Sequence, residues 1–591
     1  MLLPGLAAAA APALEDMIPA DADMVLLVDD VPGLLRDWPN LPLARAWSDP
    51  AVQDLLQGFA GDGEVPELPV WLQNPGDDEA AETDPHARLV RSLTGQIAII
   101  IDMESFSETG GDGEDSHRMP TGVVILAQVD GNEDTITALL TVPEAVEGAE
   151  GEAGADDAGE DVLPFALPEG TWTVANGVLV VSASPEETAA QVALLAGETE
   201  VLPLSSGDGF QAMRRHSAAG GIEMLVNLEV LVAKLTAELA SGEAAFADNP
   251  MGVTPQAMLD GLGLDVFRAG WLSLRPAPEA TDMTYGLTFS EERGVVRMLA
   301  FEPLPGDRRL PLPDSAVDAT AFAYDLPGAW QAMTEILTQV SPAMGAAMEA
   351  QIAQMSAQMG IDLVKEIPGA FAGEFATATF MDEAAAGQGI TLAEYEDHLS
   401  QVWVATLREG HRMGEALQAL TPMMGAAGIT QTTRTVEGKV LNVISVPDVY
   451  VEDGVVVEDE EGDGPVFAWS VGEKYLVAVK GSIDDLIMVM NGLEKGGRGI
   501  WGDADVKALM QTLPAGAAAV QYQDSSRMLS GMMSSLLMGA GAGAAGDDNL
   551  TADQNQQLSD LIGRLITESI AAMYRSTGEL VGQGRVLHGQ P

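Results

Sequence analysis

A strand, turn and helix near the start of the chain recurs about 295 residues downstream, and this recurrence limits the possible folds more than any other feature. Met24 to Leu35 reads MVLLVDDVPGLL and Ala319 to Trp330 reads ATAFAYDLPGAW, setting Asp30, Pro32 and Gly33 opposite Asp325, Pro327 and Gly328. Ile18-Pro19 precedes the first and Leu312-Pro313 the second. Further anchors follow in the same order. Val123-Val124-Ile125 with Asp130-Gly131 matches Val402-Trp403-Val404 with Glu409-Gly410, and the hairpin at Ala175-Asn176-Gly177 matches Gly472-Glu473-Lys474. Ser184-Pro185-Glu186-Glu187 and Ser482-Ile483-Asp484-Asp485 each announce a helix, because a serine followed by acids caps a helix N-terminus. Met224 to Leu228 then faces Ala518 to Tyr522.

Ordered anchors of this kind predict two tandem, diverged copies of one large unit. Residues 14–302 form the first and 314–591 the second, joined by a linker at 303–313 whose proline, glycine and charge (EPLPGDRRLPLP, from Glu302) suit a connection. Strands alternate with helices, yet hairpins also occur at Gly170–Ser182 and Pro465–Lys480. The fold class is therefore α+β, with mostly antiparallel sheet and packed helices. A chain of 591 residues is too long for a single hydrophobic core.

Charge narrows the partners. Ninety acids stand against 28 lysines and arginines, a formal charge of −62 spread along the chain, so nucleic acid and anionic lipid are excluded as favourable partners. A saline setting, nonspecific divalent cations or a cationic partner fit better. The acid-rich segments Glu144–Asp161 and Asp448–Gly464 are expected to be solvated loops. Met528 to Gly546 lacks charge, but its counterpart near Val232–Ala247 carries Lys234, Glu238 and Glu243, so a flexible loop is expected there and no stable membrane span. Absence of cysteine removes disulfides, thiolate metal sites and cysteine nucleophiles, and leans towards export. Residues 1–13 read as the tail of a signal peptide, with Ala11-Pro12-Ala13 as the cleavage site and a mature start near Leu14. The expected location is periplasmic or extracellular.

No nucleophile elbow, Walker A loop or HExxH motif occurs, and no GxGxxG lies between a strand and a helix. Glu394 and His398 would share a helix face, but a charged helix end accounts for them. Asp130, Asn132 and Asp134 alternate like calcium ligands, then depart from that pattern at Thr135 and Thr141, so a turn with helix capping is expected. Asp29, Asp30 and Asp325 follow apolar strands and precede proline and glycine, which favours helix capping over acid–base work. Arg214-Arg215-His216 and Arg308-Arg309 are too small to bind nucleic acid. Methionines between Met344 and Met359 recur at helical spacing and read as core filler or a helix seam. No catalytic, cofactor-binding or metal residue is therefore nominated, and no cofactor is expected.

The stretch IPADADMVLLVDDVPGLLRDWPNLPLARAWSDPAVQDLL resembles the start of an uncharacterised family of exported bacterial proteins known only as a domain of unknown function. The resemblance rests on Ile18-Pro19-Ala20-Asp21, the strand Met24–Val28, Trp38 and Asp49-Pro50. It implies export and a shared architecture and carries over no catalytic residue. The expected function is a non-catalytic exported or envelope-associated binding or structural protein, with a protein partner or self-association. The alternatives are a hydrolase or metal-dependent enzyme whose carboxylates converge only in the fold, and an inhibitor or chaperone-like module using exposed Met-rich helices.

Overall fold

The computed structural model describes residues 13–41, 44–45, 48, 84–103, 122–141, 171–198, 201–217, 220–241, 253–305, 309–381, 398–426, 430–445, 448–452, 455–459, 467–528 and 567–588. The chain is α+β and divides into two compact units. The first comprises Met1–Leu231, Phe267–Pro278 and Met283–Thr288, and the second comprises the remainder.

Among the described residues of the first unit these strands pair in one antiparallel sheet: β1 (Met24–Val28), β2 (Ile97–Ile101), β3 (Val123–Gln128), β4 (Thr171–Ala175), β5 (Val178–Ser182), β6 (Ile222–Asn227) and β7 (Phe267–Pro276). Their spatial order is β4-β5-β3-β2-β1-β6-β7. In β1 burial alternates with period two, Val25 and Leu27 facing inward, whereas the Val/Leu run of β5 is buried on both faces. Asn176 and Gly177 close the β4–β5 hairpin with φ of 52° and 77°, the left-handed pair that a two-residue turn requires. Helix α1 (Val31–Asp37) begins where Asp30 accepts a 2.9 Å bond from the Gly33 amide, with Pro32 presetting the first turn. Ser184 caps α2 (Pro185–Leu195) as the sequence predicts, accepting from Glu187 N. Helix α3 (Asp208–His216) leads back to β6, and Val31, Leu93, Val129, Ile136 and Val181 belong to one buried cluster.

The second unit contains α4 (Pro255–Leu262), β8 (Asp318–Tyr324), α5 (Leu326–Val340), α6 (Pro342–Met359), α7 (Leu363–Ala370), β9 (Phe371–Met381), β10 (Leu399–Leu407), β11 (Thr430–Val436), β12 (Lys439–Ser445), β13 (Asp448–Glu452), β14 (Val455–Asp459), β15 (Phe467–Val471), β16 (Tyr475–Lys480), α8 (Ile483–Lys495), α9 (Ala504–Met510), β17 (Ala519–Gln523), β18 (Ser569–Ser576) and β19 (Glu579–Leu587). Its sheet runs β11-β12-β15-β16-β10-β9-β8-β17-β18-β19, antiparallel throughout. Ser482 caps α8 through Asp484 N.

Strand for strand, β15-β16-β10-β9-β8-β17-β18 repeats β4-β5-β3-β2-β1-β6-β7 in both spatial and chain order. The register repeats too. Val28 pairs with Ile97 and Ile222, and Phe322 with Phe375 and Ala519; Ile97 pairs with Ala127, and Phe375 with Ala405. The β11–β12 hairpin lies in the chain between the third and fourth strands of the common plan and has no counterpart among the described residues of the first unit.

Three expectations change. Within the 303–313 segment, expected as a linker, the described Leu304, Leu310 and Leu312 are buried in the second unit's core, Leu304 N donates to Ala517 O, and Trp501 Nε1 donates to Leu310 O. The boundary differs as well, because Val232–Val266 and Glu279–Asp282 group with the second unit. Within Asp448–Gly464, expected as a loop, β13 and β14 pair from Asp448–Asp459 to Glu452–Val455. Valine density favours strand there despite the acidic composition. The segments Glu144–Asp161 and 529–546 lie outside the described residues, as do residues 1–12. Among the described residues no helix is long and apolar enough to cross a membrane.

Candidate functional site

A broad concavity lies in the second unit, where α5, α6 and α7 meet. Helices α5 and α6 form a hairpin through Ser341, which ends the first helix and caps the second by accepting from Met344 N. At the base of this hairpin a Cβ on Gly345 would stand 2.5 Å from Thr338 Oγ1 and 2.9 Å from Thr338 Cα, so only glycine permits the approach. Gly345 is also the one buried residue of α6. Away from that contact the helices enclose a cleft of about 1010 Å³. One stripe of α5 (Pro327, Trp330, Thr334) and one of α6 (Met348, Ile352, Ser356) line it, each set at i, i+3/i+4 spacing.

Helix α7 closes the third side with Val364, which is 39% exposed. Asp362 caps α7 by accepting from Lys365 N at 3.2 Å, and the Lys365 ammonium lies 3.3 Å from the same carboxylate. The Lys365 amide, then its side chain, hold Asp362 below the ordinary carboxylate range. Arg408, directly after β10, donates its backbone N–H to Ala370 O at the end of α7 and lines the cleft. Glu349 completes the charged lining. The Met-rich helix is thus less a core filler than the wall of a groove, with Met348 facing into it.

A second constellation lies in the first unit, where sequence reasoning expected only caps. Asp30 does cap α1, but Asp29 forms a two-pronged ion pair with Arg214 of α3, Nη1–Oδ2 2.7 Å and Nη2–Oδ1 2.8 Å. Arg214 Nη1 also donates to Glu223 Oε1 at 2.7 Å and lies over the Phe210 ring. Gln96 Nε2 bridges Glu15 and Asp29, and Gly220 N donates to Asp29. Three carboxylates thus surround one guanidinium. Burial pushes Glu223 up to about 7, helped by the Asp29 charge and opposed by Arg214. Burial also acts to raise Asp29, but Arg214 and the Gly220 amide outweigh it and hold that carboxyl below its usual range. The signal for this cluster was present in the sequence: Asp29 and Glu223 occupy the inward phase set by Val25-Leu27 and by Leu225.

The other candidates separate. Asp325 stands at the N-cap of α5 without a side-chain capping bond, correcting the expectation for that residue. Asn132 donates to Ser92 O beside the Asp130-Gly131 turn. His398 precedes β10, while Glu394 and Arg308 lie outside the described residues. Among the described residues no group of three or more histidine, aspartate or glutamate side chains is placed to hold a metal ion.

No family model matches the chain, and no curated protein matches it. Among solved structures, two crystal forms of TP0453 are similar at 8% identity, each over 47% of this chain. They are covered to 78% and 92% of their own length, with TM-scores of 0.21 and 0.18, a likeness that fixes neither ligand nor activity.

Proposed function

We propose that the protein is an exported, non-catalytic binding protein that takes an apolar guest into the cleft between α5, α6 and α7. The observation that carries this reading is the lining itself: Trp330, Met348, Ile352 and Val364 face a cleft of about 1010 Å³, at the upper end of small-ligand sites. Burying such a surface on a guest releases water from all four side chains at once. The competing enzyme reading would use the carboxylates at Arg214. Asp29 and Glu223 are 7% and 1% exposed and ion-paired, which suits an internal brace better than a site for substrate. Export rests on the small-residue segment at Ala11-Pro12-Ala13 and on the resemblance of the N-terminal 40 or so residues to exported proteins.

An environment-sensitive apolar dye titrated into the full chain is expected to show saturable binding that Ile352→Glu abolishes. Ile352 is half-buried on a solvent-bathed helix, so the variant should keep the far-UV spectrum of the parent. Dye binding untouched by this substitution would place the guest elsewhere.

A further inference from the structure

Building on the cleft as the binding site, we infer that its ligand is a single-chain amphiphile with a carboxylate head, the chain lying between α5 and α6 and the head on Arg408. The apolar lining is elongated. It runs seven residue steps along α5 from Pro327 to Thr334 and eight along α6 from Met348 to Ser356, about 10–12 Å of helix at ~1.5 Å per step. A narrow chain fills such a trough, and the polar side chains of its α5 wall are already engaged, Gln331 donating to Glu335 and Thr334 to Trp330 O.

The charges at the cleft fix the head. Lys365 is paired with Asp362 on its own helix. Glu349 repels an anion. Arg408 is exposed and, among the described residues, has no carboxylate partner, in a chain where acids outnumber bases 90 to 28. A cation left unpaired in so acidic a chain, beside an apolar trough, complements an anion attached to an apolar chain. A guanidinium meets carboxylate and phosphate alike in a two-pronged, charge-assisted geometry, and beside Glu349 a singly charged carboxylate is repelled less than a doubly charged phosphate.

The test is displacement of a dansyl-labelled undecanoate from the full-length chain by dodecanoate, dodecanol, dodecylamine and dodecyl phosphate. The expected result is dodecanoate binding about tenfold more tightly than dodecanol, a preference that Arg408→Ala removes and Lys507→Ala, at an exposed position of α9 outside the cleft, leaves within about twofold. Dodecanol matching dodecanoate, with Arg408→Ala silent and Ile352→Glu still abolishing binding, would overturn the head assignment and leave the cleft reading intact. Stronger binding of dodecylamine or of dodecyl phosphate would likewise overturn the carboxylate assignment. Binding of every probe that survives both Ile352→Glu and Trp330→Ala, or no binding at all, would overturn the cleft reading together with the inference.

Discussion

Where the first unit buries Asp29, Arg214 and Glu223, the second carries Ala323, Met510 and Val520. The matching strand registers and the shared approach to the helices set these equivalences: Leu204 N donates to Ile18 O as Ile500 N donates to Leu312 O, immediately ahead of α3 and α9. Gln96, which bridges carboxylates in the first unit, corresponds to Glu374, which instead accepts from Leu310 N beside Arg309. The same seven-strand plan is therefore held once by a buried ionic brace and once by small and apolar side chains. Salt-bridging is not what the fold demands at these positions. It is a local solution whose strength depends on every partner being present.

Removing one partner should have the largest effect. Arg214→Met leaves Asp29 and Glu223 buried without their cation and should destabilise the first unit by about 3–5 kcal/mol in urea unfolding, whereas Met510→Ala in the second unit should do less. Equal losses would dissolve the contrast. Restoring consistency should reverse the damage: the triple change Asp29→Ala, Arg214→Met, Glu223→Val copies the second unit and should return stability to within about 1–2 kcal/mol of the parent or above it. A triple variant as unstable as Arg214→Met alone would mean that backbone context, not charge pairing, distinguishes the units.

Glu223 supplies a pH signature of intermediate size. Its folded pKa of about 7 lies above the ordinary 4.5, so the folded state holds a proton that the unfolded state has already lost. The associated stability is full below pH ~4.5 and is lost as pH rises through ~7, by up to about 3 kcal/mol. Asp29 acts in the opposite sense, since its lowered pKa gives stability that disappears only in strong acid. Melting curves at pH 5 and pH 8 should show the fall in the parent and a flatter profile in Glu223→Gln. Parallel profiles would remove Glu223 as the titrating group. The smallest contrast lies in the hairpins. Asn176 has φ 52°, and Asn176→Val should cost about 1 kcal/mol, while Lys474→Ala in the second unit's turn, where no positive φ occurs, should be near neutral by the same measurement.

Much of the architecture was legible because ordered anchors survive divergence. Asp-x-Pro-Gly turns, capping serines and strand spacing all depend on local chemistry. The alignment needed one refinement: Asp30 and Asp325 match at the turn, but the strands match one residue out of step, since inward Ala319, Ala321 and Ala323 answer Val25, Leu27 and Asp29. The second unit places Tyr324 as an extra residue between strand and cap. The cleft was not legible, because it arises from three helices meeting, and spacing within one helix does not reveal which stripe is left uncovered. The ionic brace was missed for a different reason. A capping role for Asp30 satisfied local expectation, and Asp29, its neighbour on the opposite phase, was assigned the same role although the alternation pointed it inward.

Gly345 gives the helix hairpin a fulcrum. Fourteen residues of α6 extend beyond it, an arm of about 21 Å, and its contact with Thr338 sits at the short end. Any bulk added at that pivot is magnified at the far end, where the groove opens. The aperture is therefore set by residues outside its lining, so the calibre of the groove can be retuned by substitution at 345 or 338 while every lining side chain stays unchanged.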